Sequence, residues 1–211
     1  MIEKFLNDDR AQAYTLESVA GALLLLIALL FALESIIVTP ATPGTIDSET
    51  RAQLASQGND VVLAASSNGS LTDLALYWNT SSVAANRTFY NPDPNTMSVG
   101  PEFGYGQDRP PGEFGAMLNQ TFSQRGLSYN VFIEYQTESD WSQTDRVIVA
   151  KQGVPTENAV AITYPVTLYD GQQITSPSSS ETLENETKFY ASDVDPDGPL
   201  YNVITFRVIV W

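Results

Sequence analysis

The sequence predicts an α+β fold: a long N-terminal transmembrane helix, then short helices, then a C-terminal antiparallel β-sheet of about four strands. Three observations carry this. Residues 18–38 form an apolar run rich in leucine and alanine. Apolar residues then recur at helical spacing, and after residue 126 β-branched and aromatic residues gather in short runs with no helix between them. The predicted organisation is a cytoplasmic leader at 1–17, the transmembrane helix at 18–38, an extracellular helical and irregular region at 39–126, and an extracellular sheet region at 127–211.

The first element reads SVAGALLLLIALLFALESIIV, with Glu34 its single charge. At 1.5 Å per residue it would extend roughly 30 Å, the thickness of a bilayer's hydrocarbon core. Thr39-Pro40-Ala41-Thr42-Pro43-Gly44 should end the helix, because proline cannot continue its hydrogen-bond ladder. Lys4 and Arg10 precede the run and the next basic residue is Arg51, so the positive-inside rule places the N-terminus in the cytoplasm and the rest outside.

Beyond the run, Ile46–Ser66 reads as a helix with apolar Leu54, Val61, Val62 and Ala65, weakened by Gly58. A short helix is predicted at Leu71–Trp78, with Leu71, Leu74, Ala75 and Trp78 on one face. Thr80–Pro111, rich in Asn, Pro, Gly and Asp, reads as a long irregular connection. Gly112–Gln124 is a third helix, with Phe114, Met117, Leu118 and Phe122 as its stripe and Gly126 as its stop. The predicted strands are Tyr129–Tyr135, Arg146–Ala150, Asn158–Tyr169 and Tyr201–Trp211. A Ser/Thr-rich flexible loop is predicted at Asp170–Glu186.

Composition narrows function by exclusion. With no histidine and no cysteine, Ser-His-Asp and Cys-His catalysis, histidine metal ligation and disulfides are ruled out. Ten basic against 25 acidic residues leave a formal net charge of −15, which disfavours nucleic acid as a partner. Spread acidity with three lysines resembles the proteins of salt-loving archaea. Glu134 and Glu138 as a hydrolytic carboxylate pair are disfavoured, since strand alternation puts Glu134 on a solvated face. The aromatics Tyr77, Trp78, Tyr105 and Trp141 are explained by packing, and Gly104-Tyr105-Gly106 lacks the strand–helix context of a phosphate loop. The chain does not read as an enzyme.

The junction before the apolar run reads Asp9-Arg10-Ala11-Gln12-Ala13-Tyr14-Thr15-Leu16-Glu17-Ser18. A basic residue, a small residue, glutamine, and a glutamate at the mouth of an apolar helix resemble the class III (prepilin-type) signal of haloarchaeal type IV pilin-like membrane proteins. That resemblance implies cutting by a prepilin peptidase around Arg10, Ala11 and Gln12, before the helix, which would survive as anchor and filament spine. Cleavage after Ala11 makes Glu17 the sixth mature residue and cleavage after Ala13 makes it the fourth, whereas the family pattern has the fifth. In a filament, Glu17 would pair with the new N-terminal amine of a neighbouring subunit; it also suits the start of a helix, where negative charge complements the dipole.

Two further motifs bear on the outer region. Asn-X-Ser/Thr occurs at Asn68, Asn79, Asn86, Asn119 and Asn185, all beyond the apolar run, where roughly two would arise by chance. Asp193-Val194-Asp195-Pro196-Asp197-Gly198 matches the first half of a calcium loop, making Asp193, Asp195 and Asp197 candidate ligands. The glutamate expected at loop position 12 is replaced by Ile204, so an acidic turn without a cofactor is the simpler reading. The expectation is a non-enzymatic, minor pilin-like subunit of a type IV pilus-like archaeal filament or its assembly machinery. Its partners would be membrane lipid, prepilin peptidase and other pilin-like subunits. The alternative is a permanently anchored surface protein that binds a partner and never enters a filament.

Overall fold

In the computed structural model, which describes residues 17–30, 43–79, 89–90, 104–137, 140–177 and 179–211, the chain falls into two units, Met1–Ile46 and Asp47–Trp211.

Residues 17–30 of the first unit form helix α1, and all of them are exposed. Leucine and alanine dominate and nothing past Glu17 is charged, so local propensity alone favours the helix. The predicted fold class is corrected here. Among the described residues no helix is long and apolar enough to cross a membrane. A helix over residues 17–30 rises only about 21 Å, against roughly 30 Å of hydrocarbon core. The long N-terminal helix is therefore not shown. Residues 31–42, with the rest of the predicted run and its Thr39-Pro40 stop, lie outside the described residues.

Helix α2 spans Pro43–Ser67. Pro43 and Gly44 start this helix rather than forming a turn, consistent with the tolerance of proline in a first helical turn. Gly58, Val61, Val62 and Ala65 are buried and Leu54 is half-buried, a single stripe at helical spacing. Gly58 belongs to that stripe, because a Cβ there would run into the side chain of Ile162. Helix α3 is shorter than predicted, Ser70–Ala75. Trp78 leaves the helix and makes an isolated antiparallel bridge with Phe89, so it is buried by an extended segment. Helix α4, Gly112–Thr121, passes into a 3₁₀ turn at Ser123–Arg125 and stops at Gly126 (φ 79°), the predicted stop. Phe114, Leu118 and Phe122 are fully buried along its stripe.

The strands are β1 Tyr129–Thr137, β2 Asp140–Lys151, β3 Val160–Tyr169 and β4 Leu200–Val210. They form one antiparallel sheet in the order β2-β1-β4-β3. Three strands fall within a few residues of prediction; β2 begins earlier, because its polar first half pairs across the hairpin with Glu134–Thr137. On β4, Ile204, Phe206, Val208 and Val210 point into the core, while Val203, Thr205, Arg207 and Ile209 face the other way. On that outer face Arg207 pairs with Glu134 at 3.2 Å and Arg146 lies over the Phe132 ring, so Glu134 sits among arginines.

Gly104–Gly106 runs along the outer edge of β2, with Tyr105 N–H donating to Val149 O (2.6 Å) and Lys151 N–H to Gly106 O (2.6 Å). Residues 80–88 and 91–103 of the predicted irregular connection lie outside the described residues. The predicted flexible loop after β3 is instead tied down. Ile174 N–H donates to Glu181 O (2.9 Å), Leu183 N–H to Gln172 O (2.9 Å), and buried Ser176 Oγ to Trp78 O (2.6 Å).

Candidate functional site

Three features have the chemistry of a site: the apolar surface of α1, the sequon turns, and the polar ground around α3 and the β3–β4 connection.

Arg10, Ala11 and Gln12 lie outside the described residues; Glu17 is the first described residue of α1 and is exposed. From Val19 to Leu30 the helix presents large apolar side chains on every side, with Leu24 68% and Leu25 73% exposed. A helix apolar all round is stable only with apolar cover.

The sequons differ in setting. Asn68 is exposed at the end of α2, and its Oδ1 accepts the N–H of Ser70 (3.0 Å). Asn79 is half-buried after the Trp78 bridge, and Asn119 is half-buried within α4. Asn185 closes a 3₁₀ turn, Leu183–Asn185, and its Nδ2 donates to Thr182 Oγ1 (2.8 Å). Asn86 lies outside the described residues.

The candidate calcium residues occupy the turn before β4. Asp195 N–H donates to Asp193 Oδ1 (2.9 Å) and Gly198 N–H to Asp195 O (2.8 Å), so the Asp193 carboxylate is engaged in holding its own turn. Among the described residues no group of three or more acidic side chains could hold a metal ion. Asp170, just past β3, was not singled out from sequence. Its Oδ1 is shielded and has no partner among the described residues, and its carboxyl is raised above the usual range by desolvation and then by Asp193, Glu184 and Asp195. No sequence signal marks it, because the four acids are brought together only by the fold.

A cavity of about 390 Å³ opens between α3 and the start of α4, with Asp73, Leu74, Tyr77, Glu113 and Thr175 among its walls. Thr175 Oγ1 donates to Asp73 O (2.7 Å), and the Tyr77 ring meets Tyr90 edge-on at 5.4 Å. Of the other aromatics weighed, Trp78 and Tyr105 are core residues, and the side chain of Trp141 lies outside what is described. Burial pushes the Tyr105 and Tyr190 phenols up, so both stay neutral.

The model of one family, described as a family of unknown function (DUF7288), matches residues 10–210. No curated protein and no solved structure matches the chain.

Proposed function

We propose that this chain, which belongs to the DUF7288 family, is a pilin-like subunit of an archaeal surface filament or of its assembly machinery, structural rather than enzymatic. The observation that carries the reading is α1: a helix charged only at Glu17 and apolar and exposed on every side beyond it. Such a surface is covered by lipid before assembly and by like helices of other subunits afterwards. Glu17, at the mouth of that helix, is the group that would meet a neighbour's N-terminal amine once a prepilin peptidase has cut near Arg10, Ala11 and Gln12. The family match supports treating the junction, α1 and the sheet domain as one protein, since it runs from residue 10 to 210. In this reading residues 39–211, and so the whole of the unit 47–211, face outward from the cell surface.

Mass spectrometry of the mature N-terminus tests it. A new N-terminus at Gln12, or at Tyr14, is expected; an intact Met1 with Lys4 attached would overturn the filament reading. Glu17→Ala should leave cleavage intact and lower assembly at least tenfold, since removing one partner of a buried ion pair costs about 3–5 kcal/mol. Normal assembly by that variant would remove Glu17 from its role.

The cavity beside α3 favours a second reading, a surface protein that binds a ligand and stays at the membrane. An unprocessed N-terminus together with a saturable ligand for that cavity would select it.

A further inference from the structure

We propose that Asn68 is a site of N-glycan attachment, held ready for it by the end of α2. The inference rests on the reading that residues 47–211 face outward.

The asparagine is placed by backbone geometry. Its N–H donates to Ala64 O (3.1 Å), extending α2 by one position, and Gly69 then reverses the chain in the left-handed region at φ 81°. The Oδ1 accepts the N–H of Ser70, the hydroxyl residue of its own sequon. One side of the carboxamide is thus fixed, while Nδ2 has no partner among the described residues. Ala64, Ser67 and Asn68 share one face of the helix end and are all exposed, which leaves room for a bulky sugar. The other described sequons lack this combination. Asn185 has its Nδ2 engaged by Thr182, and Asn79 and Asn119 are half-buried.

The co-substrate is an oligosaccharide joined through its anomeric carbon to a lipid phosphate. The Asn68 Nδ2 forms the new bond to that carbon as the bond from carbon to phosphate oxygen breaks. The lipid phosphate leaves, and one proton passes from Nδ2 to a base of the transferring enzyme. No electron donor or acceptor is needed.

The test uses the full-length protein from the cells that make it. Trypsin releases residues 52–87 as one peptide containing Asn68, Asn79 and Asn86, so electron-transfer fragmentation is needed to place the sugar. A glycan mass on Asn68 is expected, with the intact mass falling by one glycan in Asn68→Gln while circular dichroism stays unchanged. An Asn68 found wholly unmodified overturns the inference, whatever the other sequons carry. Protease added to intact cells separates this from failure of the underlying reading. If the domain is digested from outside while Asn68 is bare, only the inference falls; if the domain is protected, the outward-facing reading falls as well.

Discussion

The indole N–H of Trp78 donates to the backbone carbonyl of Lys188 at 3.0 Å, joining the chain after α3 to the chain that leads into β4. The same ring meets Phe89, Phe189 and Tyr190 edge-on at 5.3–5.9 Å, and the Trp78 carbonyl accepts Ser176 Oγ. One side chain thereby ties together segments more than 100 positions apart.

Trp78→Ala should therefore destabilise the domain by about 3–5 kcal/mol, the range for emptying a buried aromatic site. Trp78→Phe keeps most of the packing but strips the Lys188 carbonyl of its donor, for a loss of about 1–3 kcal/mol. Urea unfolding reads both, with Val154→Ala, at an 86% exposed position, as a control that stays within about 0.5 kcal/mol of wild type. Equal effects of the two Trp78 variants would mean that the ring's packing contributes little.

The burial of Trp78 was legible in sequence and its conformation was not. It lies four residues after Leu74, the spacing of a helical stripe, but the chain extends after Leu76 and Trp78 bridges to Phe89. The β-branched alternation of β3 and β4 marked both strands to within a residue or two, because half-buried strands need that pattern. The first half of β2, Asp-Trp-Ser-Gln-Thr-Asp, carries no such pattern and is a strand only through pairing with β1. At the N-terminus hydropathy marked an apolar helix, of which residues 17–30 are described and helical, while no described helix is long and apolar enough to cross a membrane. The α3–α4 cavity was invisible for another reason: its walls come from residues near 70–77, 111–113 and 175, which only the fold brings together.

Gly104 supplies a backbone test. A Cβ at this position would strike the carbonyls of Ile148 and Val149, which belong to the ladder of β2 and cannot swing aside as a side chain end could. Gly104→Ala should cost about 1–3 kcal/mol, the scale of overpacking. Gly171→Ala, with nothing within 4 Å of the added carbon, should be neutral or up to about 1 kcal/mol stabilising through the unfolded chain. Matching melting temperatures for the two variants would show that the Gly104–Gly106 segment does not hold the β2 edge.

The acids around Asp170 set a pH dependence whose sign is opposite to that of a salt-bridged carboxylate. Asp170 N–H donates to Pro199 O (3.2 Å) and its carbonyl accepts Glu184 N–H (3.2 Å), so the residue is fixed where Asp193, Glu184 and Asp195 gather. Desolvation first, then those charges, raise its carboxyl above the value of about 3.9 that an aspartate has in an unfolded chain. Between the two values the folded state holds more protons than the unfolded state, so stability falls as pH rises through that window. The penalty is complete above the folded value and absent below the unfolded one. Asp170→Asn keeps both backbone hydrogen bonds and removes the charge, so it should be more stable than wild type at pH 7 and indistinguishable below about pH 4. Thermal melts of both proteins at fixed salt, taken from pH 3.5 to 7, give the difference, in which the contributions of groups far from Asp170 cancel. Raising the salt should shrink the gain without abolishing it, because screening weakens the repulsion from Asp193, Glu184 and Asp195 but leaves the desolvation. A gain that persists unchanged at pH 3.5 would show that the substitution acts through packing and not through charge.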